Sequence, residues 1–223
     1  ALKVLREDTA RDERVRELFD TEAEVAQLLD HPNLMRTYEA GQIDGRAYIA
    51  MELVEGATLE RLLQTLRARQ LPLPPDLALF VVTELLDGLH ALHEATLPTG
   101  EPLGLVHRDV TPDNVFVSFD GRVLLGDFGV THVQAYGDSS PDHAVGKLGY
   151  FAPESLGNQP VDRRADIFSV GVMLFELLAG CRLFEAEDEG EALAQVTDAR
   201  VPPLQRYVPE IDRELNAIVA RAL

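Results

Sequence analysis

Apolar residues change their period several times along the chain, and each change predicts an element. Between residues 11 and 30, Val15, Leu18, Val25 and Leu29, reinforced by Phe19 and Ala26, fall at helical spacing. Glu22 sits inside that stripe, three positions before Val25 and four after Leu18. A carboxylate on an inward face requires a cation. His31-Pro32-Asn33 closes the helix, because the residue before a proline leaves helical space. Residues 1–5 read as a short strand that carries Lys3 among apolar neighbours, and residues 34–40 and 47–53 as two more strands about a turn at Asp44-Gly45.

Further on, residues 58–69 predict a short helix, stopped by the proline-rich stretch 71–75. A longer helix from about Asp76 places Leu77, Val81, Leu85, Leu89 and Leu92 on one face. His90 and His93, near its end, read as structural or solvated rather than as metal ligands. Residues 96–104, with two prolines and two glycines, form an exposed turn. Residues 115–118 and 122–126 are two hydrophobic runs joined by Phe119-Asp120-Gly121, whose Asp-Gly pair predicts a tight hairpin. The polar, unpatterned stretch that follows, through Val145, reads as a mobile loop containing Thr131, Tyr136, Ser139 and Ser140. Residues 167–180 are the most apolar run, yet at 14 residues with Ser169 and Glu176 they are too short and too polar to span a bilayer. They predict a buried helix headed by Asp166, whose burial needs backbone donors. Two more helices are expected, around residues 189–198 and from about Pro209, the latter turning Ile211, Leu215, Ile218 and Val219 inward.

Composition narrows the class. A chain of 223 residues with 46% hydrophobic content can fold as one large domain or as two lobes around a shared cleft. Its single cysteine, Cys181, cannot form an internal disulfide and has no metal-ligand spacing around it, which suits a reducing interior. The net charge of −18 argues against nucleic-acid or anionic-membrane binding, since no local basic patch offsets it. The acidic surface either is simply solvated or favours basic substrates. A polyanionic ligand would need a metal ion and locally placed cations.

Such chemistry gathers around the hairpin. His107-Arg108-Asp109 precedes its first strand, with Asn114 five positions after Asp109, and Asp127-Phe128-Gly129 follows its second. The hairpin brings Asp109, Asn114 and Asp127 to one edge, and three oxygen-bearing side chains there suit magnesium. The ordered pattern H-R-D-x-x-x-x-N then D-F-G resembles the catalytic domain of the bacterial eukaryotic-like Ser/Thr protein kinases, and the resemblance runs over essentially the whole chain.

That resemblance implies an α+β, two-lobed protein-kinase-like fold. Residues 1–55 would be a partial N-lobe of strand, helix, two strands and hinge, and residues 56–223 a mainly helical C-lobe, incomplete at its C-terminus. It implies transfer of the ATP γ-phosphate to protein hydroxyls, with ATP and Mg2+ as cofactors, a protein as substrate, and no direct membrane contact from this region. In the family's terms Asp109 orients the substrate hydroxyl and accepts its proton, while Asn114 and Asp127 hold magnesium. Lys3, paired with Glu22, positions the ATP phosphates. Met51 is the gatekeeper beside the adenine, Glu52 to Val54 form the hinge, and Phe116 lies beneath the ring. Phe128 packs with His107, Asp166 steadies the catalytic loop, and Arg108 receives a phosphate placed on the segment between Asp127 and Ala152-Pro153-Glu154. A cytoplasmic location follows, with any membrane anchor outside this chain.

Three features depart from the family pattern. No G-x-G-x-x-G stretch precedes Lys3, so this chain alone is expected to bind ATP weakly and to transfer phosphate poorly, as part of a longer kinase. Thr111 stands where the family has lysine, and Lys147 where it has threonine. The paired departures suggest an exchange in which Lys147 restores, from the activation segment, the charge that position 111 lacks. Two unrelated losses in a pseudokinase-like signalling scaffold are the alternative. A small-molecule phosphotransferase shares the aspartate and asparagine, but the Ala-Pro-Glu segment and the long loop suit a protein substrate.

Overall fold

The computed structural model describes residues 1–6, 12–128, 147–157, 160–186, 188–198 and 200–223. Gly129, Thr131, Tyr136, Ser139 and Ser140 lie outside the described residues. Strand β1 (Leu2–Val4) is followed by helix α1 (Glu13–Leu28), β2 (Thr37–Ile43) and β3 (Arg46–Met51). The three strands form an antiparallel sheet in the order β1-β3-β2, with Lys3 opposite Ile49. Asp12 caps α1 by accepting from the Arg14 amide. Asp44 and Gly45, at φ 52 and 80, make the β2–β3 turn that the sequence predicts.

Helix α1 buries Phe19 and Ala23 against Leu5, Ala47 and Ile49, so the sheet and helix share a small core of their own. Glu22 lies on that same buried face. Residues 33–35 do not begin β2, as the pattern predicted. They turn toward the hairpin instead: the Met35 amide donates to the Leu125 carbonyl at 2.8 Å and the Leu125 amide to the Asn33 carbonyl at 2.8 Å. Those backbone groups are spent on a distant partner, and β2 starts only at Thr37.

A second antiparallel sheet, ordered β4-β5-β6, comprises β4 (Gly56–Thr58), β5 (Val115–Ser118) and β6 (Val123–Leu125). Strand β4 is not legible as a strand in the sequence. It pairs so closely with β5 that a Cβ at Gly56 would sit 2.1 Å from the Val117 carbonyl oxygen, so only glycine fits. Helix α2 (Leu59–Ala68) starts directly after it, capped by the Thr58 hydroxyl.

The large core forms between α3 (Pro75–His93) and α4 (Arg164–Ala179), with β5 and β6 laid against them. Phe175 and Met173 are fully buried in α4, and α3 buries Ala78, Val81, Leu85, Leu89 and Leu92. Leu77 corrects the predicted stripe: it is 48% exposed, because on the first turn of α3 Ala78, not Leu77, is the residue turned into the core. Helix α5 (Glu189–Asp198) keeps its predicted bounds, and α6 (Arg213–Ala222) packs on α4. On α6, Ile218 is a second correction at 55% exposure, since Val219 alone on that turn reaches the core.

Candidate active site

Two carboxylate centres form, each with a lysine. At the first, Lys3 Nζ lies 2.6 Å from Glu22 Oε1 and 2.7 Å from Asp127 Oδ1, joining strand β1, helix α1 and the end of the hairpin. Burial alone would lower the Lys3 pKa, but Asp127 and Glu22 together hold it above its ordinary value. The ammonium therefore stays charged through neutral pH.

At the second, Asp109 is buried and its Oδ2 accepts from Asn114 Nδ2 at 2.7 Å and from Lys147 Nζ at 3.2 Å. Asn114 Nδ2 also donates to the Asp109 carbonyl at 2.8 Å, locking the loop between the two residues. With Nδ2 engaged, the amide oxygen is the atom Asn114 can offer a cation. The Gly126 amide donates to the Asn114 carbonyl at 2.9 Å, which brings Asn114 beside Asp127. An amide oxygen and a carboxylate are hard donors, and they fit magnesium with phosphate and water as its other ligands.

The catalytic-loop backbone rests on Asp166, as its place at the head of a buried helix demands. Asp166 Oδ2 accepts from the His107 amide at 2.9 Å and Oδ1 from the Arg108 amide at 2.8 Å. His93 Nε2 donates to Oδ2 at 2.7 Å, so this histidine is structural. Arg108 is exposed and takes a left-handed backbone, φ 65, which turns its side chain away from the buried neighbours on either side. His107 meets Phe128 edge to face, with ring centroids 6.1 Å apart.

His107 is held neutral. Its Nδ1 accepts from the Asp109 amide at 3.3 Å and its Nε2 lies 3.2 Å from the Gly126 carbonyl, which can only accept, so the proton is on Nε2. Burial pushes its pKa below the ordinary 6.5, outweighing the nearby Asp166 and Asp109 carboxylates. The unfolded chain therefore takes up this proton first. The stability contributed by neutral His107 is complete above the unfolded value and is lost as pH falls from there toward the lowered folded value. Chemical-denaturant midpoints should drop as pH falls below the ordinary histidine value of about 6.5, and His107→Gln should flatten that slope. An equally steep slope in the variant would assign the titration elsewhere.

Between the Lys3–Asp127 centre and the chain crossing at residues 51–54 lies a cleft of about 320 Å³, lined by Lys3, Asp127, Met35, Met51, Glu52, Val54 and Phe116 among others. The Glu52 amide is spent on the Arg36 carbonyl at 2.8 Å. Glu52 and Val54 both line the cleft at this crossing. Met35 is a cleft residue that the sequence pattern missed, since residue 35 reads there as ordinary strand. It presses on Gly126, where a Cβ would lie 2.8 Å from its Cε.

Thr111 is 1% exposed, and its hydroxyl has no hydrogen-bond partner among the described residues. Lys147 instead donates to the aspartate itself, Asp109 Oδ2, at 3.2 Å. One signal of this lay in the composition: of 20 basic residues only Lys3 and Lys147 are lysines, and each pairs with a carboxylate of one of the two centres.

The family described as "Protein kinase domain" matches residues 1–219. The chain is 35% identical over 208 residues to the tyrosine-protein kinase MasK of Myxococcus xanthus, covering 93% of this chain and 32% of that protein. It is 34% identical over 223 residues to the serine/threonine-protein kinase PknL of Mycobacterium tuberculosis, covering 100% and 53%. The crystal structure of the Mycobacterium tuberculosis PknI kinase domain superposes with a TM-score of 0.72 at 30% identity, covering 100% of this chain and 76% of that one. The chain thus spans between 32% and 53% of the length of these two curated relatives.

Proposed function

Because this chain belongs to the protein kinase family, we propose that it is a catalytic region that transfers the γ-phosphoryl group of ATP to serine and threonine hydroxyls of proteins. The observation that carries this reading is the pair of lysine-carboxylate centres, Lys3 with Glu22 and Asp127 on the wall of the cleft, and Lys147 with Asp109, joined to the first through Asn114 and the Gly126 amide.

Phosphoryl transfer asks a protein for positioning and for charge placed where charge develops. Asp109, oriented by Asn114, accepts the proton of the substrate hydroxyl as that oxygen attacks phosphorus. Lys3, held by Glu22, aligns the phosphates. Met51 and Phe116 supply the apolar walls of the adenine site, with Glu52 and Val54 backbone groups at its edge. Magnesium, bound by Asn114 and Asp127, would neutralise charge on the phosphate oxygens. Lys147 places a further cation beside the attacking oxygen, in the role the family gives to a lysine at position 111. Arg108, exposed beside Asp109, is the receptor for a phosphate on the activation segment.

The protein's net charge of −18 suits a basic protein substrate and opposes nucleic acid. No helix among the described residues is long and apolar enough to cross a membrane. We assign the region to the cytoplasm, where ATP and reduced thiols are found. A signalling scaffold is the weaker reading, because a scaffold has no need of Asp109, Asn114 and Asp127 together.

The test is magnesium-dependent transfer of labelled phosphate from ATP to a generic basic protein, using the longest natural form that carries this chain. Label on serine and threonine is the expected result. Label on tyrosine alone would align the chain with MasK in acceptor choice, and no transfer under any condition would overturn the enzyme reading.

A further inference from the structure

Arg182 lies two residues beyond Gly180, whose left-handed backbone at φ 71 ends α4 and turns the chain back. Its guanidinium enters a polar cluster that the kinase machinery does not use directly. Nη1 donates to the Tyr150 hydroxyl at 2.6 Å, Nη2 donates to Glu60 Oε1 at 2.8 Å, and the group lies 5.5 Å from the Tyr150 ring centroid. Tyr150 in turn donates to Glu176 Oε2 at 2.7 Å, and Glu176 lies 3.5 Å from Arg67.

Each arm of Arg182 ends on one side of the Asp109 centre. Through Tyr150 it holds the turn that carries Lys147, because the Tyr150 amide donates to the Lys147 carbonyl at 3.0 Å and the Tyr150 carbonyl accepts from Ser169 Oγ at 2.7 Å. Through Glu60 it holds the catalytic loop, because the Glu60 amide donates to the Pro112 carbonyl at 3.0 Å, between Asp109 and Asn114. One planar fork thereby links the two segments whose side chains meet as Lys147 and Asp109.

Stability alone gives little reason for the cluster. Buried ion networks return little net free energy over apolar packing. This one also leaves Glu60 Oε2 and an Arg67 Nη2 without hydrogen-bond partners among the described residues. We propose that Arg182 is a positioning residue, setting Lys147 on Asp109 by tying the Tyr150 turn to the catalytic loop. This rests on the kinase reading above.

A double-mutant cycle in the longest natural form tests it, with competitive amine labelling as a readout that needs no activity. Read by peptide mass, that labelling reports Lys147 and Lys3, this chain's two lysines, separately. Arg182→Met should lower kcat about tenfold or more while changing KM for ATP by no more than about twofold. Lys147 labelling should rise severalfold, with Lys3 unchanged. In the Lys147→Met background, Arg182→Met should cost nothing further in kcat. Should Arg182→Met fail to fold, Glu60→Gln, which weakens only the loop arm, should shift Lys147 labelling and kcat in the same direction. Unchanged Lys147 labelling in a folded variant, or kcat losses that multiply in the double variant, would overturn the proposal. Absence of transfer by the wild type would instead count against the kinase reading, while the labelling still reports on Arg182.

Discussion

Asp109→Asn is expected to slow phosphate transfer by about a thousandfold, with ATP affinity and the thermal unfolding midpoint close to wild type. The substitution removes the group that accepts the hydroxyl proton and keeps nearly the same volume at a site that is 1% exposed. An asparagine can still accept from Asn114, so the loop geometry survives, while the ion pair with Lys147 at 3.2 Å is lost. The loss should therefore fall on kcat. Single-turnover rates, ATP titration and a melting curve on the same preparation check it, and transfer within about tenfold of wild type would deny Asp109 the role of base.

Lys3→Met should have the second-largest effect, lowering kcat/KM for ATP by about a hundredfold or more. Lys3 is the cation shared by Glu22 and Asp127, at 2.6 and 2.7 Å. Its loss removes the charge aimed at the phosphates and also leaves Glu22, only 6% exposed, without this counter-ion. A partly buried pair of this kind should cost about 1–3 kcal/mol of stability when broken from one side, the exposure of Lys3 keeping the figure below that of a fully buried pair. The two consequences separate in the double variant Lys3→Met with Glu22→Gln. Neutralising the stranded carboxylate should recover stability without recovering transfer. If transfer returns together with the melting temperature, Lys3 acts only as a structural partner of Glu22.

Much of this site is legible before folding because its signals are local. Glu22 interrupts an apolar stripe at helical spacing, and the structure places it on the buried face of α1 with Lys3 as its cation. Asp166 heads an apolar helix, and its carboxylate finds the two backbone amides that its burial requires. The Asp-Gly turn brings the two sides of the hairpin together as the sequence predicts.

The errors share a cause as well. Leu77 and Ile218 satisfy the helical period, yet period says only which way a side chain points and not whether a neighbour lies there. Strand β4 and the turn of residues 33–35 toward β6 depend on backbone partners far away in sequence.

From the sequence alone came the elements, the order of the motifs, and the residue types able to hold phosphate, cation and proton, since these follow from the chemistry of neighbours a few positions apart. The contacts that make a site of them did not. Lys3 meets Asp127 across 124 positions, Lys147 meets Asp109 across 38, and Arg182 meets Glu60 across 122. Such meetings are decided by how two sheets and a buried helix close on one another, because only the packed chain fixes distances between segments that share no local period.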